Sequence, residues 1–175
     1  MNGVLTRSAI HSTNSESICP PGGHYAHVCT AAGVVYISGQ LPIEPDGTPM
    51  TGQSFEMQVR RVLTNIDSCL ACVGLDTNSL VQVRVYLTDI KNWPQFNQMY
   101  AEWLGNHRPA RAVAGVSELH FGLEVEVESV ALARDSLMAS PNSPTRGHPK
   151  FPQAAQPKLG TGPTAGHPPT TDAGL

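Results

Sequence analysis

The sequence is poor in charge and has neither a basic cluster nor a long apolar run. Charged residues make up 14% of the 175 residues, and the formal net charge is −3. Proteins that hold nucleic acid or an anionic membrane by charge need basic clusters, so this balance argues against both partners. The apolar runs are too short for a membrane span, and the first residues lack the apolar core of a signal peptide. We therefore expect a soluble, cytoplasmic protein.

Cysteine is also scarce, and the common cofactor signatures are missing. The four cysteines are expected to be reduced in an intracellular protein. Cys69 and Cys72 form a lone CxxC in the last turns of a helical pattern, whereas a redox pair lies at a helix start, so burial is the expected role. Histidines that could be considered for zinc are His24, His27, His107 and His120, and their spacing matches no strong zinc signature. With no phosphate loop, dinucleotide fingerprint or catalytic-serine elbow, no metal or cofactor is expected.

Proline and glycine divide the chain into three segments. Residues 135–175 consist mainly of Pro, Gly, Ser, Thr and Ala, with Phe151 as the only aromatic residue. This composition cannot bury enough apolar surface to offset the entropy of ordering, which predicts a disordered tail; a partner motif within it is the alternative. Residues 1–21 are predicted to be an N-terminal arm with one short strand near Val4–Ile10. Residues 22–134 then form a single domain.

Hydrophobic spacing within residues 22–134 predicts a mixed α+β domain. The predicted helices are Phe55–Val73, ended by Gly74, and Asn92–Leu104, with Pro94 in its first turn. The predicted strands are His27–Cys29, Val34–Ser38, Leu80–Leu87, Ala110–Val116 and Leu123–Ala133. The order β-β-α-β-α-β-β places two helices on one face of a mixed sheet. Since the other face stays bare unless a second copy covers it, we expect a homo-oligomer.

The last predicted strand alternates between acidic and apolar residues. One face carries Glu124, Glu126 and Glu128. The other face is predicted to carry Leu123, Val125, Val127 and Val130, with a slip in the pattern before Val130. Aligned carboxylates repel one another, so the acidic face must be wet or supplied with cations.

Arg111 is the first candidate for chemistry. It opens a strand of small and apolar residues, where a guanidinium needs an anionic partner. One possibility is a structural ion pair with a glutamate of the Glu124–Glu128 run. The other is a bidentate clamp on a ligand carboxylate, which the planar guanidinium fork suits well. The residues by themselves leave both open.

Five further positions could contribute to a site. A glutamate such as Glu126 can activate water in a partly closed site, although a solvated strand face is the simpler alternative. Ser38 and Gly39 follow a strand and could offer a hydroxyl and backbone N–H groups, but such turns are common. Asn97 and Tyr100 lie three apart on one helix face, where exposure and core packing are the alternatives.

Taken in order, these motifs resemble the reactive-intermediate deaminase family, also called Rid or YjgF-type. The motifs are Ser38-Gly39-Gln40, Asn97-x-x-Tyr100, Arg108-Pro109-Ala110-Arg111 and the strand Glu124-Val125-Glu126-Val127-Glu128. The resemblance covers about residues 22–134. It implies a chorismate-mutase-like α+β fold, assembled as a homotrimer with three sites in the clefts between subunits.

The resemblance also implies an activity and the residues that carry it. Members hydrolyse 2-aminoacrylate-like enamines and imines to 2-keto acids and ammonia, without a cofactor. By correspondence, Arg111 binds the substrate carboxylate and Glu126 positions or activates the attacking water. The residues implied to line the substrate are Tyr25, Ser38, Gly39 and Asn97.

Two departures from the family pattern bear on substrate choice. The family usually reads Gly-Pro-Tyr before the first strand, where this chain has His24 in the middle position. Many members have a cysteine where this chain has Val113. Two alternatives stay open: a specialised deaminase for an aminomuconate-like enamine of a degradation pathway, and, since the family includes members without demonstrated turnover, a non-catalytic trimeric protein that binds small ligands.

Overall fold

The computed structural model describes residues 9–133, which form a six-stranded sheet and two α-helices. The strands are β1 (Ile10–Thr13), β2 (Val28–Ala31), β3 (Val34–Gln40), β4 (Leu80–Leu87), β5 (Ala110–Gly115) and β6 (Val125–Leu132). Their order across the sheet is β1-β2-β3-β6-β4-β5. The β4–β5 pair is parallel and the other neighbours are antiparallel. The mixed sheet and the α+β fold class predicted from the sequence are confirmed.

The two helices begin and end where local chemistry favours it. Helix α1 spans Phe55–Ala71, and the Ser54 side chain caps it by accepting a hydrogen bond from the Met57 N–H at 3.3 Å. It ends two residues before the predicted Val73, and Gly74 follows with a φ of +73°, a conformation that glycine adopts readily. Helix α2 spans Trp93–Leu104 with proline in its first turn. Within residues 9–133, no helix is both long enough and apolar enough to cross a membrane.

One hydrophobic core joins both helices to one face of the sheet. Helix α1 contributes Val59, Val62, Ile66 and Leu70, helix α2 contributes Phe96 and Leu104, and the sheet contributes Val83, Val85, Leu87, Val125 and Val127. Each fully buried aliphatic or aromatic side chain of this kind stabilises the fold by about 1.5–3 kcal/mol.

The two cysteines of the CxxC are buried to different extents. Cys69 is fully buried and burial raises its pKa to about 12, while Cys72 is only partly buried.

The last strand differs from the prediction at its C-terminal half. Alternation continues through β6 without a slip, because Ser129 takes the buried position and is only 4% exposed. Val130 therefore lies on the same face as Glu126 and Glu128, not opposite them. The prediction put Val130 on the buried face because valine is apolar. The two-residue period of the strand decides instead, and a serine can occupy the interior position that this period assigns to it.

The sheet extends into the segment that was predicted as an N-terminal arm. Strand β1 pairs with β2 through Ile10 and Ala31, so it overlaps the predicted Val4–Ile10 strand at one residue. Residues 4–8 of that prediction lie outside the described residues, and so does the predicted tail, 135–175. The division into arm, domain and tail stays a prediction.

The sheet face away from the helices is called the open face below. It carries Tyr36, Tyr86, Glu126, Glu128 and Val130, which are paired across neighbouring strands. Tyr36 is 51% exposed, and every residue of the edge strand β5 is exposed or half-buried.

Candidate active site

Arg111 lies on the edge strand β5 and reaches toward helix α2. Its register partner on β4 is the buried Val83, so its side chain leaves the sheet on the helix side. Its Nη2 donates a hydrogen bond to Asn97 Oδ1 at 3.0 Å. The guanidinium carbon also lies 4.5 Å from the Trp93 ring centroid and 4.6 Å from that of Tyr100. These contacts orient the plane of the guanidinium. Because all three partners are neutral, they do not neutralise its positive charge.

The structural ion pair that the sequence left open for Arg111 does not form within residues 9–133. Glu128 is instead paired with Arg84, at 2.6 Å between Nη1 and Oε1. Among the described residues, Arg111 has no carboxylate within ion-pair distance. Its guanidinium is oriented by neutral groups and has N–H donors left for an anion.

Glu126 lies on β6 and faces the opposite way. It pairs with Tyr86 on β4, which puts its side chain on the open face. Burial raises the pKa of the Glu126 carboxyl, the charge of His120 lowers it, and the charge of Glu128 raises it again. A carboxyl with a raised pKa exchanges protons more readily near neutral pH, as a general acid or base must. A cavity of about 620 Å³ lies beside it, walled by Glu118, His120 and Phe121 among others.

Gly39 leaves the space that the Glu126 carboxylate occupies. A Cβ added to Gly39 would overlap Glu126 Oε1. Ser38, beside it, donates its hydroxyl proton to the Ala26 carbonyl at 2.7 Å. Tyr25 precedes Ala26, is 50% exposed, and its hydroxyl oxygen accepts a hydrogen bond from the Gly22 N–H at 3.4 Å. Ser38 therefore lies next to Gly39 on β3, whereas Tyr25 lies in the loop before β2 and contacts Gly22 and Gly23 of that loop.

The residues implied by the family resemblance thus form two groups within one chain. Arg111 and Asn97 lie on the helix side of the sheet, at its β5 edge. Glu126 and Gly39 lie on the open face, with Ser38 next to Gly39 along the chain, and Tyr25 lies apart from both groups in the loop before β2. The sheet itself separates Arg111 from Glu126, so one chain does not bring both to the same ligand.

Sequence reasoning missed one member of the first group. Trp93 was not singled out, although it precedes Asn97 by four residues and Tyr100 by seven, the spacing that lines up one helix face. Among the histidines weighed for zinc, His27 Nδ1 accepts from the Ser15 N–H at 3.2 Å, and His107 Nε2 lies 2.7 Å from the Leu80 carbonyl oxygen. No cluster of three potential metal ligands exists within the described part of the chain.

Replacing Gly39 with alanine is expected to impair the site while sparing the fold. The added methyl group meets the end of a flexible side chain, so Glu126 must turn away while the backbone keeps its conformation. For the activity proposed below, we expect kcat to fall about tenfold or more, because the acid–base group is displaced but not removed, with a Tm close to wild type. Wild-type turnover in Gly39→Ala, measured beside a thermal melt, would contradict this placement of Glu126.

Comparisons with known proteins agree with this fold and these motifs. Residues 16–133 match the family model described as endoribonuclease L-PSP. The mitochondrial protein MMF1 of Saccharomyces cerevisiae is 34% identical over 134 residues, which are 76% of this chain and 89% of that protein. A RutC family protein of Aquifex aeolicus is 36% identical over 114 residues, covering 64% of this chain and 90% of that one. The crystal structure of YyfA, a Rid family protein of unknown function from Yersinia pestis, superposes with a TM-score of 0.69 at 32% identity, covering 71% of this chain and all of that chain.

Proposed function

The chain belongs to the Rid/YjgF family, to which the endoribonuclease L-PSP model corresponds, and on that premise we propose that it is an imine and enamine deaminase. The substrate is a small 2-imino acid, or the enamine that tautomerises to it. The products are the 2-keto acid and ammonia. The reaction class is hydrolysis of a C=N bond.

The observation that carries this proposal is the guanidinium of Arg111, which is oriented and has no carboxylate partner among residues 9–133. Asn97 takes one N–H, and Trp93 and Tyr100 lie against the guanidinium. The remaining donors match the two oxygens of a carboxylate. Holding the substrate by its carboxylate also fixes the position of the adjacent C2 carbon, which is the carbon that water attacks.

Glu126 supplies the proton chemistry. Its carboxylate accepts a proton as the water oxygen bonds to C2 and the C=N π electrons move to nitrogen. The Glu126 carboxyl then returns that proton to the nitrogen, which completes the tetrahedral carbinolamine. The proton of the C2 hydroxyl passes to the same nitrogen as the C–N bond breaks, so ammonia leaves and the carbonyl forms. The raised pKa of Glu126 suits a group that must both accept and return a proton.

Assembly is part of the proposal, because Arg111 and Glu126 lie on opposite faces of the sheet within one chain. A site that uses both residues has to combine Arg111 of one subunit with Glu126 of a neighbour. Within residues 9–133 the open face is uncovered and the β5 edge is unpaired, which favours association with further copies. We propose a homotrimer with three sites between subunits, in which each site takes one residue of this pair from each neighbour.

Two alternatives keep the same residues but change the role. A specialised enamine deaminase with an aminomuconate-like substrate would use the same Arg111 and Glu126 in a wider pocket. A non-catalytic ligand-binding trimer would need Arg111 but no acid–base group, and the raised pKa of Glu126 favours catalysis over it. The family description also names endoribonuclease activity. Net charge −3 and the carboxylates on the open face disfavour RNA as a ligand.

The direct test is imine decay with and without the full chain. A pyridoxal-phosphate serine or threonine dehydratase generates the enamine, and semicarbazide traps whatever imine survives. We expect the protein to speed the release of ammonia and to deplete the trapped product. An RNA substrate incubated in parallel is expected to stay intact. Unchanged imine decay would exclude the deaminase proposal. RNA cleavage would instead favour the endoribonuclease activity that the family description names.

Mixing two nearly inactive variants tests whether each site is shared between subunits. We expect Arg111→Ala and Glu126→Gln each to keep only about 1% of wild-type activity, and their mixture to regain part of it after joint refolding. A site restored by mixing has Arg111 from one variant and Glu126 from the other, which random assortment gives about a quarter of the time. Activity of the mixture and its mass by light scattering are the measurements. A mixed trimer without activity would show that both residues of a site come from one chain.

A further inference from the structure

A cavity of about 340 Å³ adjoins Arg111 on the helix side of the sheet. Its walls include Asn97, Tyr100, Arg108, Pro109 and Arg111. Arg108 and Arg111 both line it, and among the described residues no carboxylate does. Arg108, like Arg111, has no ion-pair partner within residues 9–133. In a chain with a net charge of −3, this is a local concentration of uncompensated positive charge that favours an anionic ligand.

The Tyr100 hydroxyl is a second sign of a ligand at this cavity. Tyr100 is only 6% exposed, and its hydroxyl has no hydrogen-bond partner among residues 9–133. A buried hydroxyl without a partner is costly, and such groups in native proteins call for a specific explanation. Burial raises the Tyr100 pKa to about 12, so the hydroxyl stays protonated well above neutral pH. It is therefore a donor in need of an acceptor.

The C-terminus of α2 lies beside the cavity, but it does not cancel the positive charge of the two arginines. Carbonyls at a helix C-terminus carry partial negative charge and repel anions when they are free. Here the Gly105 N–H donates to the Ala101 carbonyl at 3.0 Å, and the His107 N–H donates to the Leu104 carbonyl at 3.2 Å. Two of the last carbonyls of α2 are thereby occupied, and the arginines set the sign of the cavity.

We infer that this cavity is a second anion subsite and that the physiological substrate is a 2-imino dicarboxylate. The inference rests on the proposed deaminase function and deepens it by naming a substrate class. Arg111 holds the carboxylate next to the imine carbon, and Arg108 with Tyr100 receives the distal carboxylate. A substrate with two negative charges matches two guanidinium groups. The cavity lies at the low end of the usual volumes of small-molecule sites, which suits a dicarboxylate of four to six carbons.

The test compares two imines that differ in the distal charge alone. An L-amino acid oxidase, with catalase present, makes one imine from glutamate and the other from glutamine, so one carries a distal carboxylate and the other an amide of the same size. We expect the full chain to favour the acid by about tenfold or more in kcat/KM. Arg108→Ala is expected to remove most of that preference. Arg60→Ala is the matched control, because Arg60 is paired with Glu56 on the surface of α1 and is expected to keep the preference.

Tyr100→Phe separates a ligand role from a structural one. The ring that contacts Arg111 and Phe96 is retained, and only the unpartnered hydroxyl is removed. We expect the Tm to stay the same or rise, because the hydroxyl makes no hydrogen bond to the described part of the chain. Affinity for glutarate, measured by calorimetry, is expected to fall about fivefold or more.

Binding and turnover distinguish failure of this inference from failure of the proposed function. Equal kcat/KM for the two imines, or a preference that survives Arg108→Ala, would overturn the dicarboxylate subsite while leaving the deaminase intact. If no imine is accelerated but glutarate binds more tightly than glutaramate in an Arg108-dependent manner, the subsite stands and the deaminase proposal fails.

Discussion

Replacing Arg111 with alanine is expected to lower kcat/KM for the imine by about 100-fold. Hydrogen bonds between charged groups contribute about 1.5–3 kcal/mol each, and tenfold in rate corresponds to about 1.4 kcal/mol. The variant loses the fork that holds the carboxylate, and with it the position of the C2 carbon. Stability should change little, because cation–π contacts at exposed sites contribute about 0.5–1 kcal/mol. The measurement is ammonia release from a freshly generated imine, beside a thermal melt.

Two further variants show which property of Arg111 matters. Arg111→Lys keeps the positive charge but loses the planar fork, so we expect activity between that of wild type and that of Arg111→Ala. Arg60→Ala removes an arginine of the α1 surface and is expected to behave as wild type. If Arg111→Ala retained wild-type kcat/KM with an intact fold, the carboxylate clamp would be excluded.

Replacing Glu126 with glutamine is expected to lower kcat by about 100-fold or more, the usual contribution of a positioned acid–base group. Glutamine has nearly the same shape as glutamate, so the KM should stay within a few-fold. In wild type, kcat/KM should fall as the pH drops through the Glu126 pKa, because a protonated carboxyl cannot accept the proton of the attacking water. Burial sets that midpoint above the ordinary glutamate value. The variant is expected to lose this step from its pH profile.

The same substitution should leave the fold as stable as before or make it slightly more stable. Because the folded-state pKa of Glu126 is raised, the native state binds more protons than the unfolded state between the unfolded pKa and the raised one. Stability therefore falls as the pH rises through that interval. A neutral glutamine does not carry this penalty. Urea unfolding at pH 7 measures it, and strong destabilisation would indicate that Glu126 acts through structure and not through proton transfer.

Much of the fold follows from local patterns in the sequence. The apolar spacing on α1, the alternation along β4 and the proline in the first turn of α2 each reflect a period that the backbone imposes, so these elements were predicted to within about two residues. The prediction was wrong on β6 because it assigned Ser129 and Val130 to the two faces of the strand by polarity alone. Interior positions follow the strand period, and a small hydroxyl can be accommodated there. Strand β1 is short and largely polar, and its pairing with β2 has little local signal.

For the site, the sequence alone determined which residue types occupy the family motif, including Arg111, Glu126, Gly39 and Asn97. It left Arg111 undecided between a structural ion pair and a ligand clamp. Only the tertiary structure decided that the glutamate Glu128 is taken by Arg84, because the pairing of β4 with β6 places those two side chains opposite each other.

The tertiary structure also decided that Arg111 and Glu126 lie on opposite faces of the sheet. That separation depends on strand register, and register is set by pairing between strands that are far apart in the sequence. No spacing along the chain encodes it. The cavity lined by Arg108 and Arg111 likewise exists only once folding brings Arg111 of β5 to Asn97 of α2. The sequence therefore determined the chemical groups of the site, whereas folding determined which of them can meet one ligand within a single chain.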